Sequence, residues 1–173
     1  MHKSSRILVL MRHAKAETPS ALDHERELAP RGRREAALAG EWLRQVEVVP
    51  AAALVSSAAR TQATWWEVST AGGFDCPVET SDALYAAEPD SALDLIRLTS
   101  DDVRSLVVIG HNPTMAFLAQ TLDDGEGDTD ASNGMIAGFP TGAMAVFEVS
   151  GAWTDLDMGG ARLARFHVPR EDD

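Results

Sequence analysis

Cysteine is almost missing from this 173-residue sequence: Cys76 stands alone. No intrachain disulfide can form, so the fold depends on its core, and a single thiol fits a reducing cytoplasm, the expected location. Long apolar runs are missing as well. None approaches the ~20 residues that cross a bilayer, and Ile7 to Met11 is too short to read as a signal peptide. Positive charge is scarce, with 15 Lys and Arg against 27 Asp and Glu and a net charge of −12. That balance argues against nucleic acid or an anionic membrane as partner. There is no Gly-Lys-Ser/Thr phosphate loop, so an ATPase is not expected, and no Gly-x-Ser-x-Gly elbow. Cys76 has no arginine in the six residues after it, which argues against a cysteine phosphatase loop. No internal repeat is visible.

What remains is ordinary in bulk and specific in detail. The chain is 45% hydrophobic and 24% charged, the balance of a globular protein, and its length suggests one domain over residues 1–173. The run Ile7-Leu8-Val9-Leu10-Met11 stops at Arg12-His13. Consecutive apolar residues suit a central parallel strand covered on both faces. Its carboxyl end, where ligands bind in open α/β sheets, then carries an arginine and a histidine. Leu106-Val107-Val108-Ile109-Gly110-His111 repeats the plan, followed by Asn112-Pro113. That pair reads as a helix start, with Asn112 as N-cap and Pro113 as first helical residue. Ala53-Leu54-Val55-Ser56-Ser57 predicts a further short strand, with Arg60 in the first turn of the next helix. These three strand ends converge only if the strands are neighbours.

Arg12-His13 after an apolar strand, Arg60 after Val55-Ser56-Ser57, and Gly110-His111-Asn112 together resemble the histidine phosphatase superfamily, with its phosphoglycerate-mutase-like fold. The short length and Arg26-Glu27-Leu28-Ala29-Pro30-Arg31-Gly32 resemble its small SixA-type branch of phosphohistidine phosphatases. The resemblance runs from about Arg6 to Val149. It implies a phosphate pocket of Arg12, His13, Arg60 and His111, with His13 the nucleophile and Arg26 a further phosphate contact. Two positions depart from the pattern: Ala14 stands where glycine is usual, and Glu27 where proline is expected. Glu27 is placed to neutralise Arg26.

The remaining chain fills in the architecture. Glu17 to Glu27 reads as a loop able to fold back beside the site, bringing His24 or Arg26 near the phosphate, with a surface position the plainer reading of His24. Pro30 to Val46 predicts a helix. Arg26, Arg31, Arg33 and Arg34 near its start are either a solvated face or a positive collar that draws in an anionic substrate. Ala58 to Thr70 predicts a second helix, with Trp65 and Trp66 packing and Gly72-Gly73 as its end. Cys76 to Ser81 predicts a short strand, and a helix follows from Asp90 or Ser91 to Arg97. In larger members of the resembled superfamily a glutamate from the region before that helix is the general acid, which makes Glu88 the candidate here. Asp123 to Asp130 holds five acids in eight residues. Counting from Asp124, position six is Thr129 and position twelve Met135, so the calcium-loop pattern fails and a solvated loop is expected. Thr141-Gly142-Ala143 precedes a strand Met144 to Val149, and in the resembled fold Thr141 lies where it can bond a phosphate. Ala161 to Val168 predicts an edge strand, and Arg170 to Asp173 a free tail. The expected whole is a three-layer α/β/α sandwich with a mostly parallel sheet and an antiparallel member near the C-terminus.

The expected chemistry is phosphoryl transfer through a phosphohistidine, without metal or cofactor. Neutral His13 attacks, its other ring nitrogen held by an acceptor and its pKa lowered by the arginines. His111, if protonated, adds a donor. Zinc held by His13, His111 and a carboxylate is an alternative, though the neighbouring arginines call for an anion. A non-catalytic phosphate-binding module is another, with no need for two histidines. The resemblance implies protein phosphohistidine as substrate, with small phosphorylated metabolites as the alternative. Oligomeric state cannot be read from the sequence.

Overall fold

A computed structural model describes residues 5–19 and 22–171; the polar start, Met1 to Ser4, and the last two residues of the tail lie outside them. One six-stranded sheet has the order β3-β2-β4-β1-β5-β6. Its strands are β1 (Arg6–Arg12), β2 (Ala52–Ser56), β3 (Val78–Ser81), β4 (Ser105–Gly110), β5 (Met144–Val149) and β6 (Ala161–His167). The pairs β1/β4, β2/β4 and β2/β3 are parallel, while β5 pairs antiparallel with both β1 and β6. One strand, β5, therefore runs against the rest.

Strand alternation sorts the core into two layers. On one face Val9, Met11, Val107 and Ile109 meet Ala36, Ala39 and Leu43 of α1 (Pro30–Gln45), and Trp65 and Val68 of α2 (Ala59–Gly72). On the other, Leu8, Leu10, Leu106 and Val108 meet four shorter helices: α3 (Asp82–Tyr85), α4 (Pro89–Arg97), α5 (Thr114–Leu122) and α6 (Thr129–Ala137). Leu8 to Met11 are fully buried, as a strand covered on both faces must be. The three-layer α/β/α sandwich is the observed architecture.

Two helix glycines permit close approach. A Cβ on Gly40 would lie 2.1 Å from the carbonyl oxygen of Val68, so Gly40 lets α1 and α2 touch backbone to backbone. A Cβ on Gly32 would lie 2.1 Å from the carbonyl oxygen of Lys15. Gly32 thus seats the first turn of α1 on the segment just after His13, which the Ala29 N–H also holds through Lys15 O at 2.9 Å.

Several boundaries differ from the sequence reading. α5 begins at Thr114, not at Pro113, so Asn112 is not the N-cap; its Oδ1 still accepts the Ala116 N–H at 3.2 Å. The acidic stretch is a loop from Asp123 to Asp128, as expected, but its last two residues enter a helix. Asp128 accepts the Ala131 N–H at 2.8 Å and starts α6, an N-cap that ordinary side-chain chemistry explains. The tail is not free from Arg170 onward, because Glu171 pairs with Arg34. The arginines of α1 form no open collar. Arg31 pairs with Glu35 at 2.8 Å and Arg33 with Glu67 at 3.2 Å.

Candidate active site

Strand register brings the motif residues together. In the β1/β4 ladder Arg12 is level with Gly110, so His13 and His111 leave adjacent strand ends side by side. Their rings are 5.4 Å apart between centroids. In the β2/β4 ladder Val55 is level with Ile109, which sets Ser56 beside His111. The turn before β5 closes the near side: the Gly142 N–H reaches the carbonyls of Arg12 and His13 at 3.1 and 3.0 Å. The resulting cleft, about 310 Å³, is lined by Arg12, His13, Lys15, Ala16, Arg26, Arg60, His111, Asn112 and Thr141. Every arginine and histidine proposed from the motifs lies there, with Asn112 and Thr141. Glu88 does not line it. Glu88 is exposed and immediately precedes α4, where its carbonyl accepts the Ala92 N–H.

His13 is buried. Its Nδ1 lies 2.7 Å from the carbonyl of Ala14. A carbonyl only accepts, so Nδ1 carries the proton and Nε2 keeps its lone pair. Burial is the main reason its pKa falls to about 4, with Arg60, Arg12 and Arg26 adding to the fall and the Ala14 bond opposing it. The arginines contribute as expected, but desolvation leads. Ala14 suits its place: it is fully buried, its N–H donates to Thr64 Oγ1 at 3.0 Å, and its φ is not positive, so no glycine is required there.

His111 pairs through Nε2 with the Ser56 hydroxyl at 2.7 Å. Its Nδ1 is buried without a partner. Burial, then Arg60 and His13, push its pKa down to about 3. Burial and the neighbouring Arg60 thus disfavour the imidazolium form of His111, the condition on which its expected role as a donor depends.

The three arginines come from three elements. Arg12 ends β1 and donates to Phe139 O at 3.2 Å, a carbonyl that Asn112 Nδ2 also reaches at 2.8 Å. Arg60 lies in the first turn of α2, and Arg26 follows the 3-10 turn Asp23–Glu25. The Nε atoms of all three are buried without a hydrogen-bond partner. Glu27 does not neutralise Arg26, because it turns to Arg33 at 3.6 Å. The acid beside Arg26 is Asp23, whose Oδ1 is 3.6 Å from Arg26 Nε, too long for a hydrogen bond.

Three side chains with contacts at the site, Asp23, Ser56 and Tyr85, carried no assigned role in the sequence, and His24 joins them. Asp23 accepts from Arg60 and Tyr85. Ser56 bonds His111, and His24 Nε2 lies 2.9 Å from Ser57 Oγ. Tyr85, the one tyrosine, packs edge-on against both His24 and His111. His24 is exposed, as expected, yet belongs to this group. The only sequence signal for Asp23 is its position three residues before Arg26. No three His, Cys, Asp or Glu side chains gather into a possible metal site among the described residues.

Comparison with known proteins agrees with this geometry. Residues 8–87 match the model of the histidine phosphatase superfamily (branch 1). An uncharacterised protein of Mycobacterium leprae is 39% identical over 165 residues, covering 92% of this chain and all of that one. A solved structure from Nakamurella multipartitia, provisionally named a phosphohistidine phosphatase SixA, superposes with a TM-score of 0.83 at 34% identity and covers 95% of this chain and 96% of its own. The protein histidine phosphatase SixA complexed with tungstate gives a TM-score of 0.73 at 26% identity, covering 94% and 97%. By sequence, fold and the residues gathered at its strand ends, this chain belongs to the histidine phosphatase superfamily.

Proposed function

We propose that the protein is a metal-independent phosphatase that works through a phosphohistidine on Nε2 of His13, with protein phosphohistidine as its substrate class. The observation that carries this reading is the setting of His13: a buried imidazole with its Nδ1 proton held by the Ala14 carbonyl, its pKa lowered, in a cleft that Arg12, Arg26 and Arg60 also line. Family membership supports phosphatase chemistry. The SixA neighbours support the substrate class, and tungstate in one of them is a tetrahedral oxyanion like phosphate.

In the proposed reaction the phosphoryl oxygens bond to the guanidinium groups of Arg12, Arg60 and Arg26, which line the cleft with His13. Each charge-assisted bond contributes roughly 1.5–3 kcal/mol. His13 Nε2 attacks phosphorus in line with the leaving group, and the bond from phosphorus to that group breaks with its electron pair. The negative charge of the bound phosphoryl group favours uptake of a solvent proton by His111, and the imidazolium then donates to the transferring oxygens. Asn112 and Thr141 supply neutral contacts at the rim. Water next attacks the phosphohistidine, releasing phosphate and restoring neutral His13. The guanidinium groups perform the charge neutralisation that a metal performs elsewhere.

The test is trapping. Radiolabelled substrate should leave an acid-labile, base-stable adduct on the wild type and none on His13→Ala, which should also lose turnover of an activated aryl phosphate while remaining folded. Substantial activity in His13→Ala would end the covalent reading. Comparing a phosphohistidine protein with a panel of phosphorylated metabolites tests the substrate class.

A further inference from the structure

Asp23 and Tyr85 have no part in the reaction described above, yet both are built into the site. The Asp23 carbonyl accepts from Arg60 Nη1 at 2.8 Å, and its Oδ2 accepts from Arg60 Nη2 at 3.1 Å. Two contacts on one planar fork fix both the position and the rotation of the guanidinium. The Tyr85 hydroxyl donates to the same Oδ2 at 2.6 Å. The Tyr85 ring is in turn set edge-on between His24, at 4.8 Å, and His111, at 5.5 Å. What remains of Arg60 includes its buried, unpartnered Nε, and Arg60 lines the cleft beside His13.

We propose that Asp23 and Tyr85 are positioning residues: the Tyr85 hydroxyl fixes the Asp23 carboxylate, and Asp23 holds one edge of Arg60 so that the other faces the phosphoryl group. The inference rests on the phosphate-site reading above and deepens it. An arginine on a flexible stem must lose rotamer freedom to bind an oxyanion, and a guanidinium already clamped has less to lose. The Asp23 side chain is 56% exposed, so its direct Coulomb attraction for Arg60 is heavily screened. Its contribution is the two-point hold on Arg60, in which the Oδ2 contact is a charge-assisted hydrogen bond. The Tyr85 bond, ahead of Arg60 and Arg26, holds the Asp23 carboxyl below its ordinary pKa. It therefore remains an acceptor at working pH and is not a proton donor to the leaving group.

Tyr85→Phe removes one hydroxyl and changes no charge, which separates positioning from electrostatics. Tungstate affinity, measured by calorimetry, should fall roughly five- to tenfold in Tyr85→Phe and in Asp23→Asn, the loss of about one hydrogen bond. The value of kcat/KM for an aryl phosphate should fall by a similar factor. In an Arg60→Lys background the same two changes should cost less than about twofold, because Arg60 is the group through which they act. A merely structural role would leave the full loss in place in that background. Reading the cycle as kcat/KM covers the case in which Arg60→Lys holds tungstate too weakly to measure. Unchanged affinity in Tyr85→Phe, or tighter binding in Asp23→Asn, would overturn the proposal; the latter would mark Asp23 as an internal competitor of phosphate. Failure of the wild type to bind tungstate would sink the phosphate site itself. Tungstate binding without a trapped phosphoenzyme would sink only the covalent reaction.

Discussion

Protonation of His13 is the sharpest quantitative consequence of the fold. Burial and three arginines hold its pKa at about 4 instead of the ordinary 6.5. At 1.36 kcal/mol per unit the difference corresponds to about 3 kcal/mol against the imidazolium form. At pH 5.5 an unshifted histidine would be about 9% neutral, whereas His13 should be about 97% neutral. The free enzyme should thus keep its nucleophile more than a unit below the pH at which ordinary imidazole is lost. The perturbation is acidification, and the direct assay is a ring-proton NMR titration of the free protein, with His13→Ala and His111→Ala to assign the signals. His111 should titrate lower still, at about 3. Single-turnover phosphorylation of His13 over the same pH range supplies the kinetic counterpart. A His13 titration near 6.5 would refute the argument that burial and the arginine ring set its charge. The same shifts bear on stability. Both folded pKa values lie below the unfolded value, so the unfolded chain binds more protons as pH falls. Stability present above pH 6.5 should therefore be lost progressively as pH falls toward 4 and 3. Binding of an oxyanion should reverse part of this by raising the His111 pKa, a change visible in the same spectra.

Other consequences are local. Arg12→Ala and Arg60→Ala should each lower kcat/KM by several kcal/mol of transition-state stabilisation, roughly 10²- to 10³-fold, measured with an aryl phosphate. Arg26→Ala should cost less, because its side chain is 22% exposed and sits on a loop; if it proved the most damaging, the weighting of the three cations would be wrong. Glu88→Gln should hardly change the dependence of single-turnover phosphorylation rate on leaving-group pKa, since Glu88 does not line the cleft. That dependence should be steep in the wild type, and a flat one that becomes steep in the variant would make Glu88 the acid. Gly32→Ala should lower both Tm and activity, because its Cβ meets the Lys15 carbonyl and displaces the backbone that follows His13; an unchanged Tm would show that α1 can shift without cost.

Much of the frame was legible in the sequence. Four apolar residues in succession can be buried only between two layers, so Leu8–Met11 and Leu106–Ile109 read as central strands. A strand that stops at Arg12-His13 or Gly110-His111 must deliver those side chains to one edge. Local chemistry also marked α1, α2 with its Gly73 end, and the last two strands. The short helix α6 was hidden because its signal, Asp128 as N-cap, lies within a run of acids that equally describes a solvated loop. The extra turn before α5 was hidden because Asn112 caps Ala116 from outside the helix.

The sequence by itself determined which groups exist to do chemistry: cations and imidazoles at strand ends, in a chain without disulfides or a phosphate loop. Tertiary structure decided their partners and their charge. Glu27 follows Arg26 in sequence, yet Glu27 turns to Arg33 while Asp23 lies beside Arg26. Adjacent residues need not point the same way, and a 3-10 turn brings back a side chain three positions away. Likewise no sequence pattern says that Ala14 holds the proton of His13, that Ser56 meets His111, or that Tyr85 reaches Asp23 across 62 residues. Those contacts depend on strand register and on where a loop folds back. Burial, the leading cause of both histidine shifts, is a property of the packed assembly and not of any residue in it.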